Sequence, residues 1–76
     1  MVKYYALLRE QAGCEEENLA TSSETVLQLF YELKETHEFS LTIEQLRVAV
    51  NGGFVSWENV ITSGDEVVFI PPVAGG

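Results

Sequence analysis

The sequence predicts an α+β fold in which one main helix packs on one face of a mixed sheet of four or five strands. Three observations lead to this prediction. A length of 76 residues is enough for one small domain and no second one. Apolar residues make up 46% of the chain and its single cysteine allows no internal disulfide, so the stability must come from a compact core. Short segments with strand character lie on both sides of one segment with helical periodicity.

The first strand is expected at Val2 to Leu8, where the residues are almost wholly apolar or aromatic. A segment of this kind is typical of a central strand that is buried on both faces. The next residues, Arg9 to Gly13, interrupt the apolar run, and Gly13 can end a single helical turn in a left-handed conformation. A weaker second strand is expected at Glu17 to Thr21.

The main helix is expected to begin after Thr25 and to end near His37. Thr25 and Gln28 have the spacing of a capping box, in which the threonine hydroxyl accepts a hydrogen bond from the Gln28 amide and the glutamine side chain reaches back. Apolar residues follow at the i, i+3, i+4 and i+7 positions of one helix face. They are Val26, Leu29, Phe30 and Leu33.

A hairpin and a last strand are expected in the second half of the chain. Apolar residues alternate from Leu46 to Val50, Asn51-Gly52-Gly53 supplies residues that tolerate positive φ in a tight turn, and Phe54 to Ser56 forms the returning strand. Thr62 to Asp65 has the composition of a turn. Glu66 to Ile70 is rich in β-branched residues and is expected to form the last strand.

One helix covers only one face of such a sheet, which is the arrangement of the β-grasp fold. The first and last strands are the most apolar, so we expect them to be neighbours in the centre of the sheet. They should be parallel, because the helix crosses over between them. The prediction is therefore a β-grasp domain at residues 1–70 and an extended tail at residues 71–76, with the second sheet face partly exposed and available to a partner.

The composition excludes several classes of function. Twelve acidic against four basic residues give a net charge of −8, which repels nucleic acid and favours a basic protein surface as partner. No apolar run approaches the roughly 18 residues that cross a bilayer, so no membrane partner is expected. The lone Cys14 is typical of a reducing compartment, and we expect a soluble, cytoplasmic protein.

The last six residues carry the main functional hypothesis. Pro71 and Pro72 fix φ and favour an extended conformation, so the tail is expected to project from the domain. Gly75 and Gly76 have no side chains, and a narrow channel can therefore admit the backbone up to the terminal carboxylate. We expect the chemistry to take place at the end of the chain.

These residues resemble a known family. The run Val68 to Gly76, preceded by Gly64 to Val67, is similar to the C-terminal signature of the molybdopterin synthase small subunits, which are ubiquitin-like sulfur carriers of the β-grasp fold. The tail motif is highly specific, and the rest of the resemblance is looser. It extends to Ala6, Arg9-Glu10, the helix start at Thr25-Val26, and Leu46 to Asn51.

The resemblance implies a reaction at Gly76. An adenylating enzyme of the ubiquitin-activating type uses ATP and Mg²⁺ to join AMP to the terminal carboxylate, and a sulfur donor converts the adenylate into a thiocarboxylate. The tail then enters the large, catalytic synthase subunit, where the sulfur passes to a cyclic pyranopterin. The implied assembly is a heterotetramer of two carriers on a dimer of large subunits, and the carrier alone is expected to bind no cofactor stably and to have no activity. The residues expected to thread into these partners with Gly76 are Pro71, Pro72, Val73, Ala74 and Gly75.

Three further residues are expected to contact a partner. The apolar segment Val67 to Ala74 is a natural anchor for an interface, and Phe69 lies within it. Arg9 and Arg47 are scarce cations in an acidic chain. Each of them can bind a partner carboxylate or form a surface ion pair within the domain.

Other residues that could carry chemistry have a structural explanation. The glutamates at positions 15–17 disfavour the thiolate of Cys14, and we interpret them as a solvated loop and not as a metal site. His37 is interpreted as a helix-end residue that contacts exposed carbonyls, and Trp57 as a residue that covers the edge of the core. Turn chemistry explains Asp65, and the sequence has no glycine-rich phosphate loop.

Two alternatives remain open at this point. The first is a carrier of the same fold that supplies sulfur for thiamine or cysteine synthesis, although such tails more often lack the double proline. The second belongs to another class, a ubiquitin-like modifier that forms isopeptide bonds through Gly76. Lysine conjugates that disappear when Gly76 is deleted would favour the modifier.

Overall fold

A computed structural model describes residues 1–72 of the chain. The elements are β1 (Val2–Tyr4), α1 (Ala6–Ala12), β2 (Glu16–Glu17), α2 (Val26–His37), a 3₁₀ turn (Ile43–Gln45), β3 (Arg47–Val50), β4 (Gly53–Val55) and β5 (Val67–Ile70). Within residues 1–72 the five strands form one sheet in the order β2-β1-β5-β3-β4. β1 is parallel to β5, and the other neighbouring pairs are antiparallel. This arrangement confirms the predicted α+β, β-grasp architecture.

The predicted neighbourhood of the first and last strands is confirmed. β5 lies at the centre of the sheet, between β1 and β3. Its residue Phe69 pairs with Tyr4 on one side and with Val48 on the other, and all three are almost fully buried. Helix α2 packs on the face of the sheet to which these three side chains point, since the ring of its Phe30 lies 5.4 Å from that of Phe69.

Helix α2 has the bounds that the sequence predicts. The Thr25 hydroxyl accepts a hydrogen bond from the Gln28 amide at 3.2 Å, which caps the helix. The Gln28 side chain reaches back to the amide of Glu24 and not to that of Thr25. The four periodic apolar residues are buried: Val26, Leu29, Phe30 and Leu33. No helix formed by residues 1–72 is long and apolar enough to cross a membrane.

The opening strand is shorter than predicted. It ends at Tyr4, and helix α1 begins at Ala6, where a positive φ of 50° turns the chain out of the sheet. The expectation of burial on both faces is also wrong, since Tyr5 and Leu7 are exposed. A strand that continued would place more apolar side chains on the uncovered face, whereas the helix brings Leu8 into the core. Gly13 ends α1 in the left-handed conformation, as predicted.

The later elements follow the sequence more closely. Asn51 and Gly52 have positive φ angles of 52° and 89° and connect β3 to β4 in a tight hairpin. β5 begins at Val67, one residue after the predicted start, and ends at Ile70 as predicted.

The second strand agrees less well with its prediction. It is limited to Glu16–Glu17 and lies slightly earlier than the predicted Glu17 to Thr21.

Candidate functional site at the tail exit

β5 leads the chain from the centre of the sheet into the predicted tail. Its last residue, Ile70, pairs with Arg47, and the chain continues through a half-buried Pro71 to an exposed Pro72. A proline has no N–H to donate, so the sheet pairing of this strand cannot extend through Pro71 and Pro72. The predicted reactive residue and the rest of the threading segment lie outside the described residues: Val73, Ala74, Gly75 and Gly76.

The side chains of the sheet divide into an inner face, which packs against α2, and an outer face. Successive residues of a strand point to opposite faces. Phe69 therefore lies on the inner face, and its neighbours Val68 and Ile70 lie on the outer face. Val68 pairs with Ala49, and Ala49 pairs with Phe54, so these three residues form a row across the outer face.

Five residues make up an apolar surface that we call the outer-face patch: Tyr5, Ala49, Phe54, Val68 and Ile70. Phe54 is 66% exposed and Tyr5 is 50% exposed, Val68 and Ile70 are half-buried, and Ala49, which pairs with Phe54 and Val68, is buried. Large apolar side chains that are exposed together mark an interaction surface more often than single ones do. The patch ends at Ile70, so it adjoins the point where the tail leaves the sheet.

The prediction that Phe69 contacts a partner is wrong. Its side chain is fully buried, where its ring lies 5.4 Å from that of Phe30 and 6.0 Å from that of Trp57. The strand that anchors the tail is the one predicted, but its inner residues serve the core. Trp57 covers the edge of this core, as the sequence indicates.

The two candidate arginines have different surroundings. Arg9 of α1 forms an exposed ion pair with Glu15 at 3.7 Å, which is the second of the two alternatives that the sequence leaves open. Arg47 lies on the outer face, opposite Ile70, with its guanidinium 5.8 Å from the centre of the Phe54 ring. Of the two arginines, therefore, only Arg47 lies against the outer-face patch.

A polar cluster seals the end of the inner face near β2. The Tyr4 hydroxyl and the His37 Nε2 both donate to the Glu17 carboxylate, the latter at 2.8 Å. Burial alone would raise the pKa of Glu17, but the hydrogen bonds from Tyr4 and His37 outweigh it, so this pKa is lowered. Burial, followed by the hydrogen bond to Glu17, raises the pKa of Tyr4. Glu17 is thus part of a structural network and not of a solvated loop, and His37 contacts Glu17 where the sequence suggested helix carbonyls.

Cys14 is not a good nucleophile in this structure. It is half-buried against the core, and burial and the negative charge of Glu17 raise the pKa of its thiol. Among residues 1–72 no group of three or more histidine, cysteine, aspartate or glutamate side chains could hold a metal ion.

The sequence predicts that the second sheet face is partly exposed and available to a partner, but not which residues form the apolar patch on it. Tyr5 was expected in a buried strand, and Phe54 only in the returning strand of the hairpin. One signal was available, because alternation from the hairpin turn at Asn51 places Ala49 and Phe54 on the face opposite Val48 and Val55.

Comparison with known proteins agrees with this fold. A sequence profile of the ThiS family matches residues 2–76. The molybdopterin synthase sulfur carrier subunit of Escherichia coli is 36% identical over an alignment 78 residues long. This alignment covers 99% of this chain and 96% of the relative. The protein of the same name from Haemophilus influenzae is 32% identical over 79 residues, with the same coverage. The solution structure of small archaeal modifier protein 1 from Methanosarcina acetivorans has 28% identity and a TM-score of 0.78, covering 99% of this chain and 93% of that one.

The profile and both relatives extend over nearly the whole chain, the tail included. The chain therefore belongs to the ThiS family.

Proposed function

We propose that this protein is the sulfur carrier subunit of a molybdopterin synthase and that it carries the sulfur as a thiocarboxylate at Gly76. The observation that carries the proposal is the central strand β5, which leads into Pro71-Pro72 at the border of an exposed apolar patch, in a sequence whose last residues are Gly-Gly. The names of the two curated relatives support the synthase over other acceptors.

The proposed chemistry takes place on the tail carboxylate. An oxygen of this carboxylate attacks the α-phosphorus of ATP and pyrophosphate leaves, which gives an acyl adenylate. A hydrosulfide equivalent from the sulfur donor then attacks the acyl carbon and AMP leaves, which gives the thiocarboxylate. Activation is needed because a carboxylate is a poor electrophile, and AMP is a good leaving group. ATP and Mg²⁺ belong to the adenylating enzyme in this scheme.

The domain contributes position and recognition. β5 is hydrogen-bonded on both sides, so it holds the start of the tail in a fixed direction while the tail enters a partner. The outer-face patch would dock on the large, catalytic subunit, in a heterotetramer of two carriers and two large subunits. The activity would be cytoplasmic, in keeping with the single cysteine.

Intact-mass measurement of the protein from its native host tests the proposal. We expect one oxygen-for-sulfur exchange, which fragmentation locates at Gly76. Addition of the large subunit and cyclic pyranopterin should then return the carboxylate and form the dithiolene. An unmodified carboxylate in cells with active molybdenum enzymes would contradict the proposal.

Deletion of Gly75 and Gly76 provides the matched control. We expect the truncated protein to lose sulfur transfer completely. Its free energy of unfolding should stay within about 0.5 kcal/mol of the wild-type value, because the deleted residues follow β5 by several positions. Sulfur transfer by this variant would refute a mechanism at the terminal carboxylate.

A second candidate function is that of a protein modifier. The similarity to small archaeal modifier protein 1 from Methanosarcina acetivorans favours it, since the fold and the length agree. In this case Gly76 would be found in isopeptide bonds to partner lysines. Digestion of host proteins and a search for lysines that carry the C-terminal peptide separates the two functions.

A further inference from the structure

The four basic side chains of the chain differ in their partners. Lys3 lies 3.7 Å from a Glu66 oxygen, and Arg9 lies 3.7 Å from a Glu15 oxygen. Lys34 donates to the carbonyl oxygen of Leu41 at 3.1 Å. Arg47 has neither a carboxylate within 4 Å nor a hydrogen-bond acceptor among residues 1–72. Among the basic residues of the described part of the chain, Arg47 is therefore the one with neither an ion pair nor a hydrogen bond.

Arg47 occupies a particular place on the outer face. It is exposed, it pairs with Ile70 at the end of β5, and its guanidinium lies over the ring of Phe54. A groove of about 270 Å³ adjoins it at the open end of the hairpin, and Trp57 also lines this groove. A partner that covers the outer-face patch would therefore also cover Arg47 or reach into the groove beside it.

Covering Arg47 has an energetic consequence. A guanidinium that loses its water without gaining a counter-charge is strongly unfavourable, and contact with Phe54 compensates for only a small part of this loss. A carboxylate compensates best, because its two oxygens match the N–H groups of arginine. Since the described residues supply no carboxylate to Arg47, the partner has to bring one.

We propose that the large synthase subunit covers the outer-face patch with an apolar surface that carries a carboxylate opposite Arg47. This inference rests on the proposed function and adds the chemistry of the partner surface. It also refines the expectation from net charge. The chain as a whole carries −8 and favours a basic partner, but at the tail exit the exposed charge is positive. Opposite local charges would fix the orientation in which the tail reaches its channel.

The test measures the affinity of the carrier for the large subunit of the same organism by calorimetry at low and high salt. We expect R47Q to bind about tenfold more weakly than the wild type and R47E about a hundredfold more weakly, because a like charge replaces an attraction. The matched control is K3Q, which removes the same charge from the same face where Glu66 already pairs with it. K3Q should bind within about twofold of the wild type.

A charge exchange identifies the partner carboxylate. Lysine is placed at each acidic position on the carrier-facing surface of the large subunit, one position at a time, and each variant is measured with R47E. One of them should restore most of the lost affinity. Because Arg47 is exposed, the variants are expected to keep the wild-type melting temperature, and this is checked for each.

The outcomes separate the two proposals. If the wild type does not bind the large subunit, the proposed function fails and this inference fails with it. If the wild type binds and R47Q binds equally well, the function stands and the inference is wrong. Two further results would also overturn it. One is a wild-type dimer that R47Q dissociates, which would assign the face to a second copy. The other is normal binding of R47Q to the large subunit with a loss of adenylation, which would assign the charge to the adenylating enzyme.

Discussion

The inner and outer faces of the sheet are built from alternate residues of the same strands, yet their most exposed side chains differ strongly in burial. On the inner face Tyr4, Val48 and Phe69 are at most 1% exposed. On the outer face Phe54 is 66% exposed and Tyr5 is 50% exposed. The difference comes from one helix, since α2 can cover one face of a five-stranded sheet and not both.

The face of the sheet to which a side chain points therefore decides whether it packs in the core or stays accessible. Burial of the inner side chains supplies most of the hydrophobic free energy of folding. The outer side chains stay partly hydrated, so their apolar area is still available when a partner covers them. Substitutions on the two faces should therefore have different effects, even at neighbouring positions of one strand.

The largest effect on stability is expected on the inner face. Phe69→Ala removes a fully buried ring that packs against Phe30 and Trp57, and it should lower the free energy of unfolding by about 3–5 kcal/mol. A loss of this size is comparable with the whole stability of a small domain. The matched control is Val68→Ala on the outer face, which should cost about 1 kcal/mol. Equal losses in urea denaturation would contradict the division into two faces.

How well the sequence predicted the structure depended on whether the signal was local. The prediction of helix α2 was correct because the Thr25 cap and the apolar period both lie within its own segment. The prediction of the hairpin was correct because Asn51-Gly52 is a local turn signal. The end of β1 was missed because an apolar run gives no local sign that Tyr5 faces solvent and Leu8 faces the core.

The position of Phe69 shows a different limit. All four residues of β5 are apolar, so composition does not reveal which of them point inward. Which of them point to the core is fixed by the register in which β5 pairs with β1 and β3, and this register is a non-local property. The tail was easier to interpret, because its proposed chemistry depends on the residues themselves and not on what surrounds them.

A medium effect is expected at the polar edge of the inner face. Glu17→Gln replaces the charged acceptor of Tyr4 and His37 and should cost about 1–2 kcal/mol near neutral pH. The pKa of Glu17 is lowered in the folded protein, so its contribution is fully present above the ordinary value of about 4.3 and is lost as the pH falls through the lower folded value. The difference in unfolding free energy between wild type and variant should therefore shrink below about pH 4.

Glu16→Gln is the control for this prediction. Glu16 precedes Glu17 in β2 and its side chain is exposed. It should leave both the stability and its pH dependence near the wild-type values. A difference for Glu17→Gln that stays constant through the acidic range would show that its charge does not matter.

The smallest effect on stability, and a large one on binding, is expected on the outer face. Phe54→Thr removes an exposed ring but keeps a β-favouring residue in edge strand β4, so the unfolding free energy should change by about 0.5 kcal/mol or less. If the patch docks on the large subunit, loss of this aromatic anchor should weaken binding by about 2 kcal/mol, or about thirtyfold. Tyr31→Ala is the control, because Tyr31 is a similarly exposed aromatic residue on α2 and not on the sheet. Equal losses of affinity for the two variants would mean that exposed aromatic area, and not the outer face, determines the interaction.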